Sequence, residues 1–508
     1  MRRIILALAL ALWAVPVWAD THKAASCSSA DVQTAINAAS NGDTVTIPGT
    51  PCTWTTGVTV PAGVAITITG EGVPNTTPAT TGASASCSAT TITVNGADVV
   101  AFTVTPTYGN GTTRLSCFAL NYGGTGTPIG FKIHGTCTAS GCPSLRMDNL
   151  SFSNWANRSG GSQNGYAIGA IDNMFGVIDH NTMTTTTLGS YPAVELAHIN
   201  LGSYLGVGHW GDKDWAMPEN WGSDQFLFFE NNVFSDSSTN EHEGTAGAYQ
   251  DEGGGRLVAR FNQFVGMTQD RFGVGWHGTE SNGRPRGIHA YEVYNNTFVC
   301  ADPTYRCRNL LSIRSGTGFL WGNATSGGHG MDRLADFTTY RLLGDGTNNF
   351  APWGPCAGAT GYDTNDATVY WSGTVSSVGS YTITVSGSPW TTNQWVDSTT
   401  QYSVHNVTTG YGGQIQSNTT DTLTVGWWSG TFRFSIGDSI QIRRPLACVD
   451  QTAGRGYGAL YDDNYTPLIG GVANQPANQA LVPTYVWSNT FTITPYNYVA
   501  TAPANNLV

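Results

Sequence analysis

A solenoid of stacked parallel β-strands, within the all-β class, is the fold this sequence predicts, on three observations. Charged residues make up only 11% of the chain and Gly supplies 63 of its 508 positions. Strand formers alternate with turn formers, which disfavours a helical protein. A short pattern also recurs, in which Asn is followed two positions later by a large apolar residue. It appears as Asn181-Thr-Met183, Asn232-Val-Phe234, Asn262-Gln-Phe264, Asn296-Thr-Phe298 and Asn489-Thr-Phe491, with Asn149-Leu-Ser-Phe152 as a looser copy. Finally, the copies at 232, 262 and 296 are spaced by 30 and 34 residues, each after a strand-like run and with no helical pattern between. A period of that length signals a repeat architecture. Asn tolerates the left-handed backbone that a sharp bend between strands requires. Stacked Asn side chains can also hydrogen-bond from one coil to the next, with the apolar residue pointing inward.

The elements follow in order. Arg2 and Arg3, an apolar run over 4–13 and Val17-Trp-Ala19 read as a secretory signal over 1–19, cut before Asp20. That run is too short to span a bilayer, so a soluble, secreted protein (extracellular or periplasmic) without a membrane span is expected. A short helix follows over 29–39, capped by Ser28 or Ser29, with Val32, Ala35, Ile36 and Ala39 as its apolar stripe. It is expected to cover the open end of the solenoid core. Strands over 57–61 and 64–70 lead into the repeats. Between about 363 and 444 the Asn pattern stops and clean alternation takes over, so 357–447 reads as a small inserted β-module. The module divides the repeat region into 20–356 and 448–508. Its Trp371, Trp390, Trp395, Trp427 and Trp428 read as core residues rather than as a sugar-binding surface, because small β-domains need bulky interiors.

The 10 cysteines fit disulfide bonding after export. Spacing offers Cys27 with Cys52, Cys137 with Cys142, Cys300 with Cys307, Cys356 with Cys448, and Cys87 with Cys117. The formal charge is −12 with only three lysines, Lys23, Lys132 and Lys213, which argues against a nucleic-acid partner. Nothing signals oligomerisation, so a monomer is expected.

Several stretches resemble a known superfamily. Ala30-Asp-Val-Gln-Thr-Ala-Ile-Asn-Ala-Ala with Gly42-Asp-Thr-Val-Thr-Ile-Pro48 resembles the opening of pectate-lyase-like proteins. Gly176-Val-Ile-Asp-His-Asn181 resembles a pectate lyase strand. The stretch from His277 through Gly283-Arg-Pro-Arg-Gly287 to Glu292-Val-Tyr-Asn-Asn296 resembles a block of bacterial β-helix repeat proteins. The resemblance implies a right-handed parallel β-helix acting on or binding polysaccharide. It does not extend to activity, since the fold hosts lyases, hydrolases, esterases and adhesins, and the catalytic motifs of polygalacturonases, pectate lyases and chondroitinase-like lyases are not found.

Residues 251–292 concentrate charge in a charge-poor chain, with Arg256, Arg260, Arg271, Arg284 and Arg286 beside Asp251, Glu252, Asp270, Glu280, Glu292, His277 and His289. A lyase that abstracts the proton beside a uronate carboxylate needs a cation to neutralise the carboxylate and a base. Arg271, Arg284 or Arg286 could neutralise, with or without Ca²⁺ held by Asp251 and Glu252, and His277 or an unusually placed Arg could be the base. A glycoside hydrolase needs two carboxylates, from Asp251, Glu252 and Glu280. The same charges could instead stack as ladders between coils, the reading preferred for Arg260 and Glu292. His180 and Asp179 are likewise read as structural. The aromatic run with Trp210, Lys213, Trp215 and Trp221, together with Trp276, is expected to bind substrate. Glu241-His-Glu243 reads as a solvated turn before a metal site. The expectation is a polysaccharide lyase, with a glycoside hydrolase or a non-catalytic carbohydrate-binding or adhesion protein as the alternatives.

Overall fold

The computed structural model describes residues 19–78, 80–97, 99–123, 128–137, 141–155, 166–185, 197–200, 219–236, 249–252, 255–265, 274–276, 288–299, 307–313, 316–327, 331–338, 368–396, 402–409, 411–426, 434–444, 484–491 and 499–502. These residues form three long parallel sheets, of 11, 10 and 10 strands, and one closed barrel. The chain visits the sheets in rotation. Thr67–Gly70 joins the first sheet, Thr91–Val94 the third and Val100–Val104 the second; then Thr112–Ser116, Ala119–Tyr122 and Ile129–His134 repeat the circuit. Pairing between successive circuits is parallel. The expectation of stacked parallel strands holds at the level of these sheets.

Alternation along each strand sends one set of side chains inward. In the first sheet, register stacks Val45, Ile68, Leu115, Met147, Ile178, Phe229, Ala259, Val293 and Leu320 in one column, all buried. In the third, the apolar residues of the repeat stack as Met183, Phe234, Phe264 and Phe298. The phenyl rings lie nearly parallel there, with centroids 5.0 and 4.8 Å apart. The helix Ser29–Ala38 buries Val32, Ala35 and Ile36, and the Ser28 side chain accepts from the Asp31 N–H, as the capping pattern predicts. It packs against the early strands Thr21–Lys23, Thr44–Ile47 and Val58–Val60.

Beside the phenyl stack runs a ladder of asparagines: Asn181, Asn232, Asn262, Asn296 and Asn323, all buried, ending at half-buried Asn489. Each backbone N–H and each Nδ2 donates to the Oδ1 of the next, at 2.9–3.1 Å. Nδ2 also reaches back to a carbonyl of the previous strand, for example Asn262 to Phe229 O at 2.8 Å. Asn323 is a member that the pattern missed, because Thr325 replaces the apolar residue. The bend itself is made differently from expectation. The left-handed residue is the one before each ladder Asn: His180, Asn231, Phe261, Asn295, Gly322 and Ser488, with φ between 52° and 64°. The ladder Asn must keep its amide turned toward its neighbours, so the reversal falls to the preceding position.

The barrel comprises Trp371–Val378, Thr382–Val385, Ser403–Asn406, Tyr411–Asn418, Thr422–Gly426 and Ser439–Arg443, paired antiparallel throughout. It has its own core, which includes Trp390 and Trp395, with Trp371 packed against it; Trp427 and Trp428 lie outside the described residues. After the barrel, Tyr485–Trp487 pairs with Thr317–Trp321, Thr490–Phe491 with Ala324–Ser326 and Val499–Ala502 with Met331–Thr338.

Two disulfides are formed, Cys87–Cys117 and Cys137–Cys142. The expected Cys27–Cys52 bond is not. Both are thiols, and Cys52 donates to the Cys27 carbonyl oxygen at 2.9 Å, which turns its sulfur toward the backbone. Burial pushes the Cys52 thiol up to about 12. Cys300, Cys356 and Cys448, and the side chain of Cys307, lie outside the described residues. No helix among the described residues is long and apolar enough to cross a membrane.

Candidate functional site

The outward face of the first sheet carries the polar chemistry. Register places Ser116, Asp148, Asp179, Glu230, Arg260, Tyr294, Trp321 and Trp487 in one column. A parallel column holds Arg114, Arg146, Val177, Phe228, Val258, Glu292, Phe319 and Tyr485. Neighbouring members are about one strand spacing apart, roughly 4.8 Å.

In the first half of this face the charges are closed on one another. Arg114 grips fully buried Asp148 with two hydrogen bonds of 2.7 Å, and Ser116 adds a third at 3.0 Å. Arg146 pairs with Asp179. His180 sets Nδ1 against Asp179 at 2.7 Å and Nε2 against the Thr77 carbonyl at 3.1 Å. His180 and Asp179 are thus structural, as the sequence reading preferred. Burial works to raise the Asp148 pKa, but the Arg114 hydrogen bonds and charge outweigh it and hold the carboxyl below its usual value.

The segment 71–89 lies along the edge of this face. It is tied down at Cys117 by the disulfide, at the Asn149 side chain through the Asn75 N–H, at Thr182 through the Ala83 N–H, and at the Asn231 carbonyl through the Gly82 N–H. Beyond its anchor on Asn231, a cleft of about 500 Å³ opens, lined by Pro78, Glu230, Asn231, Arg260 and Phe261.

Arg260 is central to it. Its Nε donates to Glu230 at 2.6 Å and its Nη1 to the Tyr294 hydroxyl at 2.8 Å. The guanidinium lies 5.1 Å from the Phe228 ring centre and 5.9 Å from that of Phe261. Nη2 has no hydrogen-bond partner among the described residues. Arg260 is no more exposed than Arg114, but its acid differs: the Glu230 side chain is 20% exposed against 0% for Asp148, so both members of this pair are reached from the cleft. Arg260 is therefore a ladder member, as expected, and a cleft residue as well. Burial raises the pKa of Glu292, against the Gly222 N–H and the charge of Arg260. Arg256 is buried, with Nη1 3.4 Å from the Glu219 carbonyl.

Past Arg260 the column becomes aromatic. Tyr294 stacks on Trp321 at 3.9 Å, and Trp321 on Trp487 at 5.1 Å. Stacking hides the faces of the inner rings and leaves their edges outward. Among the residues lining the cleft the aromatic one is Phe261, and its backbone is left-handed, with φ at 57°. That conformation costs an ordinary side chain about 1–2 kcal/mol.

Of the sequence-predicted site residues, Arg271, His277, Glu280, Arg284 and Arg286 lie outside the described residues, as do Trp210, Lys213 and Trp215. Asp251 and Glu252 are placed by backbone alone, in Tyr249–Glu252, and Trp276 in Val274–Trp276. Asp251 and Trp276 are register partners, in the column that also holds buried Ile171 and Ile313. Trp221 packs on Phe226 and edge-on against Phe319, over the outward face near Glu292. Among the described residues no group of three or more His, Cys, Asp or Glu could hold a metal, so no Ca²⁺ site is built from them; Glu241-His-Glu243 is outside them.

The sequence reading missed Glu230 and Phe261 as cleft residues. A signal was present: the residue before each repeat Asn is His, Asn, Phe, Asn and Ser in turn, and Phe is the one ill suited to a left-handed bend. No protein family, no curated protein and no solved structure matches the chain.

Proposed function

We propose that this chain is an exported right-handed parallel β-helix of the pectate-lyase-like kind that cleaves an acidic polysaccharide by β-elimination in the Arg260 cleft. The rotation of the chain through three parallel sheets supports the β-helix, with 357–447 as an inserted module and 1–19 as a cleaved signal. The two disulfides support export. The observation that carries the activity is Arg260, a guanidinium partly committed to Glu230 and Tyr294 and otherwise facing an open cleft.

In this reading the uronate carboxylate of the substrate takes up Arg260, which neutralises it and acidifies the adjacent C–H. Glu230, displaced from Arg260, accepts that proton. The C–H electron pair becomes the new C=C bond, the glycosidic C–O bond breaks, and Tyr294 supplies its hydroxyl proton to the departing oxygen. No step is routed through Ca²⁺. A second reading, hydrolysis, would pair Glu230 with Glu292, two strands away in the neighbouring column, whose raised pKa suits a general acid.

The test is a panel of acidic and neutral polysaccharides, with and without Ca²⁺, followed by ultraviolet absorbance of unsaturated ends and by reducing sugar. Unsaturated ends from a uronate polymer are expected. New reducing ends without them establish the hydrolase. Binding without cleavage establishes a carbohydrate-binding or adhesion protein, and neither binding nor cleavage overturns the proposal.

A further inference from the structure

Phe261 occupies a position where the fold asks for something else. At the equivalent bends the chain uses Asn231, Asn295 and Gly322, residues that reach the left-handed region with little or no steric penalty. Ser488 and His180 also serve there, and His180 is buried and anchored through both ring nitrogens. Phe261 has neither advantage. Its bulky side chain is unsuited to that backbone, and the residue is 45% exposed, so burial returns little. The ring touches Tyr294 edge to face, centroids 5.9 Å apart, and lies beside the Arg260 guanidinium. It forms a wall of the cleft with Pro78 and Asn231. Asn at 261 would make the same bend without the strain, so packing alone does not account for a Phe.

Strained residues held in place at an open site point to ligand contact. We infer that Phe261 is a substrate-binding residue that stacks its ring on the apolar C–H face of one uronate unit while Arg260, next in the chain, holds that unit's carboxylate. The inference rests on the reading of this cleft as a glycan site. It names the unit recognised: a pyranose ring with a carboxylate at its edge, not a linear or phosphorylated ligand. Phe261 takes no part in proton transfer; it sets affinity.

Stability and affinity therefore move in opposite directions on substitution. With polygalacturonate and alginate as probes, calorimetric titration and thermal melting are measured for the wild-type chain, Phe261→Asn and Phe261→Trp. The Asn variant is expected to melt at the same or a higher temperature and to bind the preferred probe about tenfold more weakly. The Trp variant is expected to keep the affinity. An Asn variant that melts lower and binds as tightly as wild type makes the ring structural and overturns the inference while leaving the Arg260 reading intact. A wild-type chain that binds neither probe overturns both.

Discussion

The two halves of the outward face of the first sheet are built on the same register and end in opposite conditions. Toward the N-terminus, Arg114, Asp148, Arg146 and Asp179 neutralise each other, and the acids are buried. From Glu230 onward the same column holds an ion pair that solvent reaches. One member, Arg260, stands in a cleft with a strained phenylalanine beside it. Closing of the charges is what separates scaffold from site here. A carboxylate buried under Arg114, Ser116 and Asn149 can only hold strands together, whereas Glu230 and Arg260 both line an open cleft where a ligand can meet them.

Substitutions at the two ends should separate these roles. Asp148→Ala leaves Arg114 and Arg146 facing each other without their shared acid. It is expected to cost about 2–3 kcal/mol of stability, less than a fully buried pair because both arginines are partly exposed, while cleavage per folded molecule is retained; chemical denaturation and activity assays on the same samples check both. Arg260→Ala should invert the pattern. Turnover of an acidic polysaccharide is expected to fall about a hundredfold, while stability changes by about 1 kcal/mol or less, as for a solvent-reached pair. Equal loss of stability from both variants would erase the distinction between the halves. The smallest effect is a pH dependence. The Asp148 carboxyl is held below its unfolded value, so its contribution is present above about pH 4 and is lost as pH falls through the folded value. Melting temperature should drop below pH 4 in the wild-type chain and less steeply in Asp148→Asn.

Much of this architecture was legible because repetition writes itself into sequence. The Asn-x-apolar copies located the ladder and the inward phenyl stack, since successive strands of the third sheet each need one bend before them and one core position in the same way. The clean alternation between about 363 and 444 falls where the antiparallel barrel strands lie. The left-handed residue was misassigned by one place, because propensity says that Asn can make a bend and not which of two adjacent Asn does so, as at Asn231 and Asn232. The cleft was not legible. Pro78, Glu230 and Phe261 are separated by up to 183 positions, and only the seating of segment 71–89 on Asn149, Thr182 and Asn231 brings the proline to the other two. Charge density drew attention to 251–292, yet density does not show which charges are closed by partners one strand away.

The asparagine ladder also bears on how the chain reaches its native state. Its last rung joins Asn323 to Asn489, 166 residues apart, with the whole barrel between them. Closing so long a loop costs only logarithmically more entropy than closing a short one, so the separation is thermodynamically tolerable. Kinetically it is different, because contacts so distant in sequence form slowly. The circuits up to Ala324–Ser326 can stack on near neighbours as they emerge, whereas Tyr485–Trp487 and Thr490–Phe491 must wait for the intervening chain, barrel strands included. The C-terminal circuit is thus expected to dock last and to exchange its amide protons first.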